Sequence, residues 1–261
     1  MDRVLIPTRS LGPLPHARRL YRFQSAALSH VGRVRQNNED FVLSGQNLIA
    51  VADGVGGNVF GEVASEVVVA AIAYLEDRVY IREPGAEVSE ALNYANERLA
   101  RAVEQDHDLF GMASTLTALR LDGSSLMVLH VGDSRAYLSR NSECTRLTRD
   151  DSLVQGLVDL GEISDAEATR HPARSVVLQA LNGGPVRPYV AARRIEAGDR
   201  YLVCSDGLSD YVGESTIGAI LAGDTPPADC CAALVEAALA VGAPDNVSCV
   251  VGDVTPLDGP N

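Results

Sequence analysis

Leu48-Ile49-Ala50-Val51-Ala52-Asp53-Gly54-Val55-Gly56-Gly57 is the stretch on which the reading turns. Five apolar residues run into an acid, and glycines follow at once. A short apolar run bounded by a turn signal suits a strand buried on both faces. Asp53 then stands where that strand ends, held by a rigid element and facing an opening. Gly54, Gly56 and Gly57 lack a Cβ, so their backbone can approach a ligand or an ion closely. From Gly61 the pattern changes: residues 62–75 are too long a run for a strand and read as a buried helix. Taken alone, this is a plain strand–turn–helix with a solvated Asp. The arrangement recurs, however, and the recurrence decides between the two readings.

Outward from this stretch, Asp122-Gly123 is a hairpin signal between two apolar runs, and the return run ends in Gly132-Asp133-Ser134-Arg135. Residues 200–205 read as another strand, ending in Asp206-Gly207-Leu208-Ser209-Asp210. At Ala243-Pro244-Asp245-Asn246 the acid stands before the strand instead of after it. Towards the N-terminus, residues 24–30 read as a first strand, and a polar loop carrying Arg33, Arg35, Glu39 and Asp40 leads back into a strand at Phe41. Apolar residues at helical spacing predict helices over 88–103, 214–221 and from Pro226-Pro227 to Val241. Residues 148–185 alternate short helices with breakers and read as a mobile flap outside the sheets, of the sort that covers a site.

Composition narrows the classes. The 261 residues, 46% of them hydrophobic, suit one large domain. A basic arm at 1–22, broken by Pro7, Pro13 and Pro15, precedes a domain over 23–255 and a short tail at 256–261. The net charge of −13 speaks against a nucleic-acid surface and for a divalent cation or a basic partner. All the basic residues are Arg, which excludes Schiff-base chemistry on lysine. Five Cys without a C-x-x-C pair argue for a reducing compartment and against zinc. No apolar run is long enough to span a bilayer, and the N-terminus lacks a secretory pattern. The expectation is a cytoplasmic monomer.

Asp53, Asp133, Asp206 and Asp245 thus mark four strand ends, and Asp40 precedes a fifth strand. Carboxylates, a backbone carbonyl and water are what hard cations such as Mg²⁺ and Mn²⁺ take as ligands. Several carboxylates share a small space only when cations neutralise them. Two such ions lower the pKa of a bridging water and hold a phosphoryl group for in-line attack, while Arg adds a bidentate grip on phosphate.

Arg35-Gln36-Asn37-Asn38-Glu39-Asp40, Ala52-Asp53-Gly54-Val55-Gly56-Gly57, Val131-Gly132-Asp133-Ser134-Arg135, Cys204-Ser205-Asp206-Gly207-Leu208 and Pro244-Asp245-Asn246 resemble, in order, the motifs of the metal-dependent PPM/PP2C serine/threonine protein phosphatases, the bacterial branch most of all. The resemblance implies an α+β fold with two antiparallel sheets in a sandwich flanked by helices. It implies that Asp53 bridges two Mn²⁺ or Mg²⁺ ions, that Asp206 and Asp245 complete one and that the Gly54 carbonyl serves the other. Glu39 and Asp40 would orient bound waters, and Arg35 would hold the substrate phosphate. Asp133, Asp206 and Asp210 would carry a weaker third ion. The implied reaction is direct attack of a metal-bound hydroxide on phosphoserine or phosphothreonine, and the implied role is to oppose a bacterial Ser/Thr kinase. The alternative is an inactive pseudophosphatase acting as a phosphoprotein-binding module. Three departures stand out: Val55 where many members have His, Asp151 where bacterial relatives have His, and Gly111-Met112-Ala113-Ser114-Thr115 where they commonly have Gly-Thr-Thr.

Overall fold

Alternation along the Leu48 run sets the layers. Leu48, Ala50 and Ala52 face a helical layer, while Ile49 and Val51 face a second sheet. In the computed structural model, which describes residues 21–55, 60–78 and 83–257, this run forms the strand β3 (Leu48–Val55). Its sheet has the order β2 (Asp40–Ser44), β3, β5 (Leu116–Asp122), β6 (Ser125–Val131) and β9 (Tyr189–Arg194), with the two-residue β4 (Ala113–Ser114) on the tail of β3. The other sheet has the order β1 (Tyr21–His30), β11 (Val247–Pro256), β10 (Arg200–Cys204), β7 (Arg135–Arg140) and β8 (Glu143–Arg146). All the pairings are antiparallel. Phe23, Tyr201, Val203 and Val250 of one sheet meet Ile49, Val51, Leu119 and Val128 of the other in a dry central layer. Phe23 and Tyr201 pack edge to face there, with ring centroids 6.1 Å apart.

Helices cover both outer faces. α1 (Gly61–Ile72) and α2 (Pro84–Gln105) lie on the β3 sheet, burying Val68, Ile72, Leu92 and Leu99. Pro84 opens α2, where a missing N–H costs nothing. On the other face, α5 (Asp206–Ser209), α6 (Glu214–Leu221) and α7 (Pro227–Ala240) bury Leu208, Ile217, Leu234 and Cys231. The four-layer α-β-β-α arrangement is the one expected. The flap holds α3 (Leu153–Asp159), capped by the Ser152 hydroxyl, and α4 (Asp165–Ala168), closed by a Ser164–Glu167 capping box.

Several boundaries differ from expectation. β3 runs past Asp53 to Val55, because Gly54 and Val55 pair with Ser114 and Ala113. A local apolar pattern cannot reveal a partner contributed by a distant segment. The first helix gives way to a 3₁₀ turn at Ala73–Leu75, and α2 is longer than 88–103. β1 begins at Tyr21, two residues inside the expected arm, and β11 ends at Pro256. β8, polar and largely exposed at the edge of its sheet, carries no apolar signal, and β9, at the edge of the other, carries only the short run Tyr189-Val190-Ala191-Ala192 before two arginines. Residues 1–20 of the arm, Gly56 and Gly57, and residues 258–261 of the tail lie outside the described residues.

Candidate metal centre

Asp40 and Asp53 are paired residues of neighbouring strands, β2 and β3. Asp206 opens α5 directly after β10, and Asp245 precedes β11, the neighbour of β10. Asp133 lies in the turn between β6 and β7. The sandwich therefore brings acids from five segments to one end, as their mutual fields record. Burial raises the Asp53 carboxyl well above the usual range, and the fields of Asp40, Asp206, Asp133 and Asp245 raise it further. Asp206 is raised well above that range by burial and then by Asp133, Asp210, Asp245 and Asp40. Burial pushes Asp40 up to about 6 against opposing hydrogen bonds from Ser248 and Ser205. Asp133 rises to about 7 by burial and by the charges of Asp150 and Asp210. Glu39 and Asp210 are also raised, in both cases by burial first.

Among the described residues, Asp40, Asp53 and Asp206 form no ion pair with an Arg, unlike Asp245 and Asp210. Asp40 Oδ2 accepts a hydrogen bond from Ser205 Oγ at 2.8 Å, but its buried Oδ1 has no partner among the described residues. An unpaired buried oxygen facing other carboxylates fits a cation better than any neutral filling. The donors are all oxygen, the chemistry that Mn²⁺ and Mg²⁺ prefer. Among the described residues, no three His, Cys, Asp or Glu side chains gather into a ready-made chelate, so water would complete any shell, as suits Mg²⁺. In these respects the residues fit the ions that the resemblance implies.

Arg35 lies at the mouth, its side chain about half exposed, and forks onto Asp245: Nε stands 2.8 Å from Oδ1, and Nη2 donates to Oδ2 at 2.9 Å. The expected phosphate-binding group and an expected metal ligand thus hold one another. Gly54 is needed for packing as well: a Cβ there would run into the Gly61 carbonyl, so the space that glycine frees is filled by the start of α1. Val55 is exposed beside these groups.

Supporting residues were harder to read from sequence. Asn246 accepts the Glu39 N–H at 2.9 Å and donates to the Val31 and Asn37 carbonyls, fixing the Arg35 loop. Ser65 Oγ donates to the Glu39 carbonyl. Thr115 Oγ1 accepts the Asp53 N–H and lies 2.9 Å from Ser134 Oγ, which ties β3 to the Asp133 turn. Arg135 grips Asp150 at 2.7 Å and Asp210 at 3.2 Å. The Asp-Asn and Ser-Arg pairs within the motifs were the available signals. A cavity of about 560 Å³ opens beside Asp133 and Asp210, bounded by Val154 and Gln155 of α3, Thr169 and Glu214. The flap therefore borders the acidic centre. His130 is a buried strand residue, with ring nitrogens 2.8 Å from Thr117 Oγ1 and 2.9 Å from the Arg149 carbonyl.

A two-sheet sandwich with acids from five segments at one end is the arrangement that the resemblance to the metal-dependent phosphatases implies. The protein phosphatase 2C family profile matches residues 29–223, and the chain belongs to this family. It is 48% identical over 238 residues to the serine/threonine protein phosphatase PstP of Mycobacterium tuberculosis, covering 89% of this chain and 45% of PstP. The chain thus spans less than half of that relative's length. It is 32% identical to the protein phosphatase PhpP of Streptococcus pneumoniae over 85% of this chain and 93% of PhpP. The crystal structure of the PstP catalytic domain in complex with two manganese ions superposes with a TM-score of 0.85 at 45% identity, over 90% of this chain and 99% of that one. Among the described residues, no helix is long and apolar enough to cross a membrane.

Proposed function

We propose that this chain removes phosphate from phosphoserine and phosphothreonine in proteins, using two Mn²⁺ or Mg²⁺ ions at the acidic end of the sandwich. The observation that carries the reading is the set of buried, mutually repelling carboxylates Asp40, Asp53, Asp133 and Asp206, each raised above the usual range by burial and by neighbouring acids. The two manganese ions in the related PstP domain support it. Asp53, Asp206, Asp245 and the Gly54 carbonyl would hold these two ions. Asp133, Asp206 and Asp210 would hold a weaker third ion. When bound, the ions supply a water of lowered pKa and positive charge against the phosphoryl oxygens.

The chain's own residues do the rest. Asp40, fixed by Ser205, and Glu39, fixed through its backbone by Asn246 and Ser65, orient water at the centre. Arg35 is held at the mouth by Asp245. The fork that Arg35 makes to the Asp245 carboxylate is the one a phosphate would accept, so the guanidinium would exchange Asp245 for the substrate phosphate. With Val55 in place of a His, water protonates the leaving oxygen. No nucleophilic side chain is needed, in keeping with Cys204 and Cys249, which are buried. Free thiols and the net charge of −13 suit a cytoplasmic monomer acting on the targets of a separate bacterial Ser/Thr kinase or on the kinase itself.

Purified protein would be assayed on a phosphothreonine peptide with Mn²⁺ and then with excess EDTA. The expected result is turnover that appears with Mn²⁺ and vanishes with EDTA. Folded, Mn²⁺-bound protein without turnover would overturn the reading in favour of a binding module.

A further inference from the structure

The acidic centre draws on both sheets. Asp40 and Asp53 are paired on β2 and β3 of one, while Asp206 and Asp245 flank β10 and β11 of the other. Hydroxyls of the second sheet reach across to Asp40. Ser205, the residue before Asp206, donates from Oγ to Asp40 Oδ2 at 2.8 Å and accepts the Ser248 N–H at 3.0 Å. Ser248, three residues after Asp245, supports the same carboxyl by a hydrogen bond, and its Oγ lies 2.7 Å from Ser29 Oγ of β1. Asn38 closes the ring: Nδ2 donates to Ser29 Oγ at 2.6 Å, and Oδ1 accepts the Asp40 N–H at 3.2 Å.

The ends of this ring set the direction of its bonds. The Asp40 N–H can only donate, so the facing atom of Asn38 is its oxygen, and the amide NH₂ is left for Ser29. A Ser29 hydroxyl that accepts from Asn38 has its own proton for Ser248, and Ser248 then has its proton for Asp40. The Ser205 oxygen takes the Ser248 N–H, and its proton goes to Asp40. The donors therefore converge on one carboxylate. Ser205 and Ser248 are fully buried, and the Ser205 N–H donates to the Ser248 carbonyl at 3.0 Å, so the backbone fixes both hydroxyls. With Oδ2 held, Asp40 Oδ1, buried and without a partner among the described residues, is left to accept from water on an ion.

We propose that Ser205, Ser248, Ser29 and Asn38 are positioning residues that hold Asp40 of one sheet in register with Asp206 and Asp245 of the other, so that its free oxygen orients water at the centre. The hydroxyls that grip Asp40 are chain neighbours of the acids it must face, so a shift of one sheet against the other would move both together. The proposal rests on the reading of Asp40 as a water-orienting group given above.

The test is a double-mutant cycle in the full chain, reading kcat and KM on a phosphothreonine peptide at saturating Mn²⁺ and, separately, Mn²⁺ affinity by titration calorimetry. Ser205→Ala and Ser248→Ala are each expected to lower kcat by about ten-fold, the lower end for a hydrogen bond to a charged group, and to weaken Mn²⁺ binding, with KM within about two-fold of native. Asp40→Asn should lower kcat and Mn²⁺ affinity at least as far. The decisive comparison is the combination: added to Asp40→Asn, either serine change should alter both quantities by less than about two-fold, because residues that act through one group are not additive. Losses that add in full would mark the serines as merely structural and overturn the proposal. Native kcat and native Mn²⁺ affinity in both serine variants overturn it too. Ser29→Ala, which cuts the ring without touching an acid, is run through the same cycle and keeps the test open if Ser248→Ala does not fold. Asp40→Asn separates the two readings. If it loses turnover and Mn²⁺ affinity while the serine variants keep them, only the positioning role fails. If it keeps both, the reading of Asp40 as a water-orienting group fails and takes the positioning role with it.

Discussion

The two ends of β10 place aspartates in opposite settings. Asp199, just before the strand, is 1% exposed and fully served: Arg140 donates to both carboxylate oxygens at 2.6 Å, Tyr201 Oη at 3.1 Å and the Glu196 N–H at 2.8 Å. Asp206, just after the strand, meets other acids, and its proton is held well above the usual range. The same residue type on the same strand is structural at one end and needs a counter-charge at the other. The lesson is about charge balance: a buried carboxylate that the fold pairs with Arg is complete, and one it leaves among carboxylates calls for a cation from outside.

The sharpest way to break this contrast is to remove one acid from each end. Asp53→Ala or Asp206→Ala is expected to lower turnover of a phosphothreonine peptide by about 10³-fold or more, since several kcal/mol of charge stabilisation go with the ions. Urea denaturation of the metal-free variants should show no loss of stability, because a repelling carboxylate has gone. Asp199→Ala should do the reverse. It leaves the buried Tyr201 hydroxyl and the Glu196 N–H without their acceptor and costs about 2 kcal/mol in urea denaturation, with turnover per folded molecule unchanged.

Acidity sharpens the contrast further. Asp40, with its carboxyl at about 6 in the fold against an ordinary 3.8, contributes stability that is complete below about pH 4 and lost as pH rises through 6. Asp133 extends the loss to about pH 7. The metal-free protein should therefore lose stability between pH 4 and 7, by about 3 kcal/mol for Asp40 alone. Thermal melts at a series of pH values check this, and saturating Mn²⁺ at pH 7 should restore about 5 °C. A flat profile would mean that the acids are stabilised by something other than a missing cation. The smallest effect is at the mouth. Arg35→Ala should lower kcat/KM by about 10- to 100-fold, the worth of a charge-assisted pair, with Arg35→Lys in between. Initial-rate kinetics would show whether KM or kcat carries the loss.

Much of this was legible in the chain. Strand-end acids and Asp-Gly pairs are local patterns, and apolar runs bounded by turn signals, with helical spacing for the helix, located β3, β5, β6, β10 and α6 well. What escaped depends on distant partners. β9 has only a short apolar run ended by two arginines, and it is its pairing with β6 that makes it a strand of the sheet. The extension of β3 beyond Asp53 depends on Ala113 and Ser114. The Arg35–Asp245 fork and the hydrogen bonds of Asp151 to Gly132 and Gln179 each join residues far apart in sequence.

The sequence by itself determined which acids are present, in what order, and that each stands beside a rigid apolar strand, because these are properties of short segments. Only the tertiary structure decided which acids are compensated. Asp199 and Asp206 look alike in the chain, and it is the pairing of β7 with β10 that brings Arg140 to one and leaves the other among carboxylates. Charge compensation is a sum over neighbours in space, so no local pattern can state it.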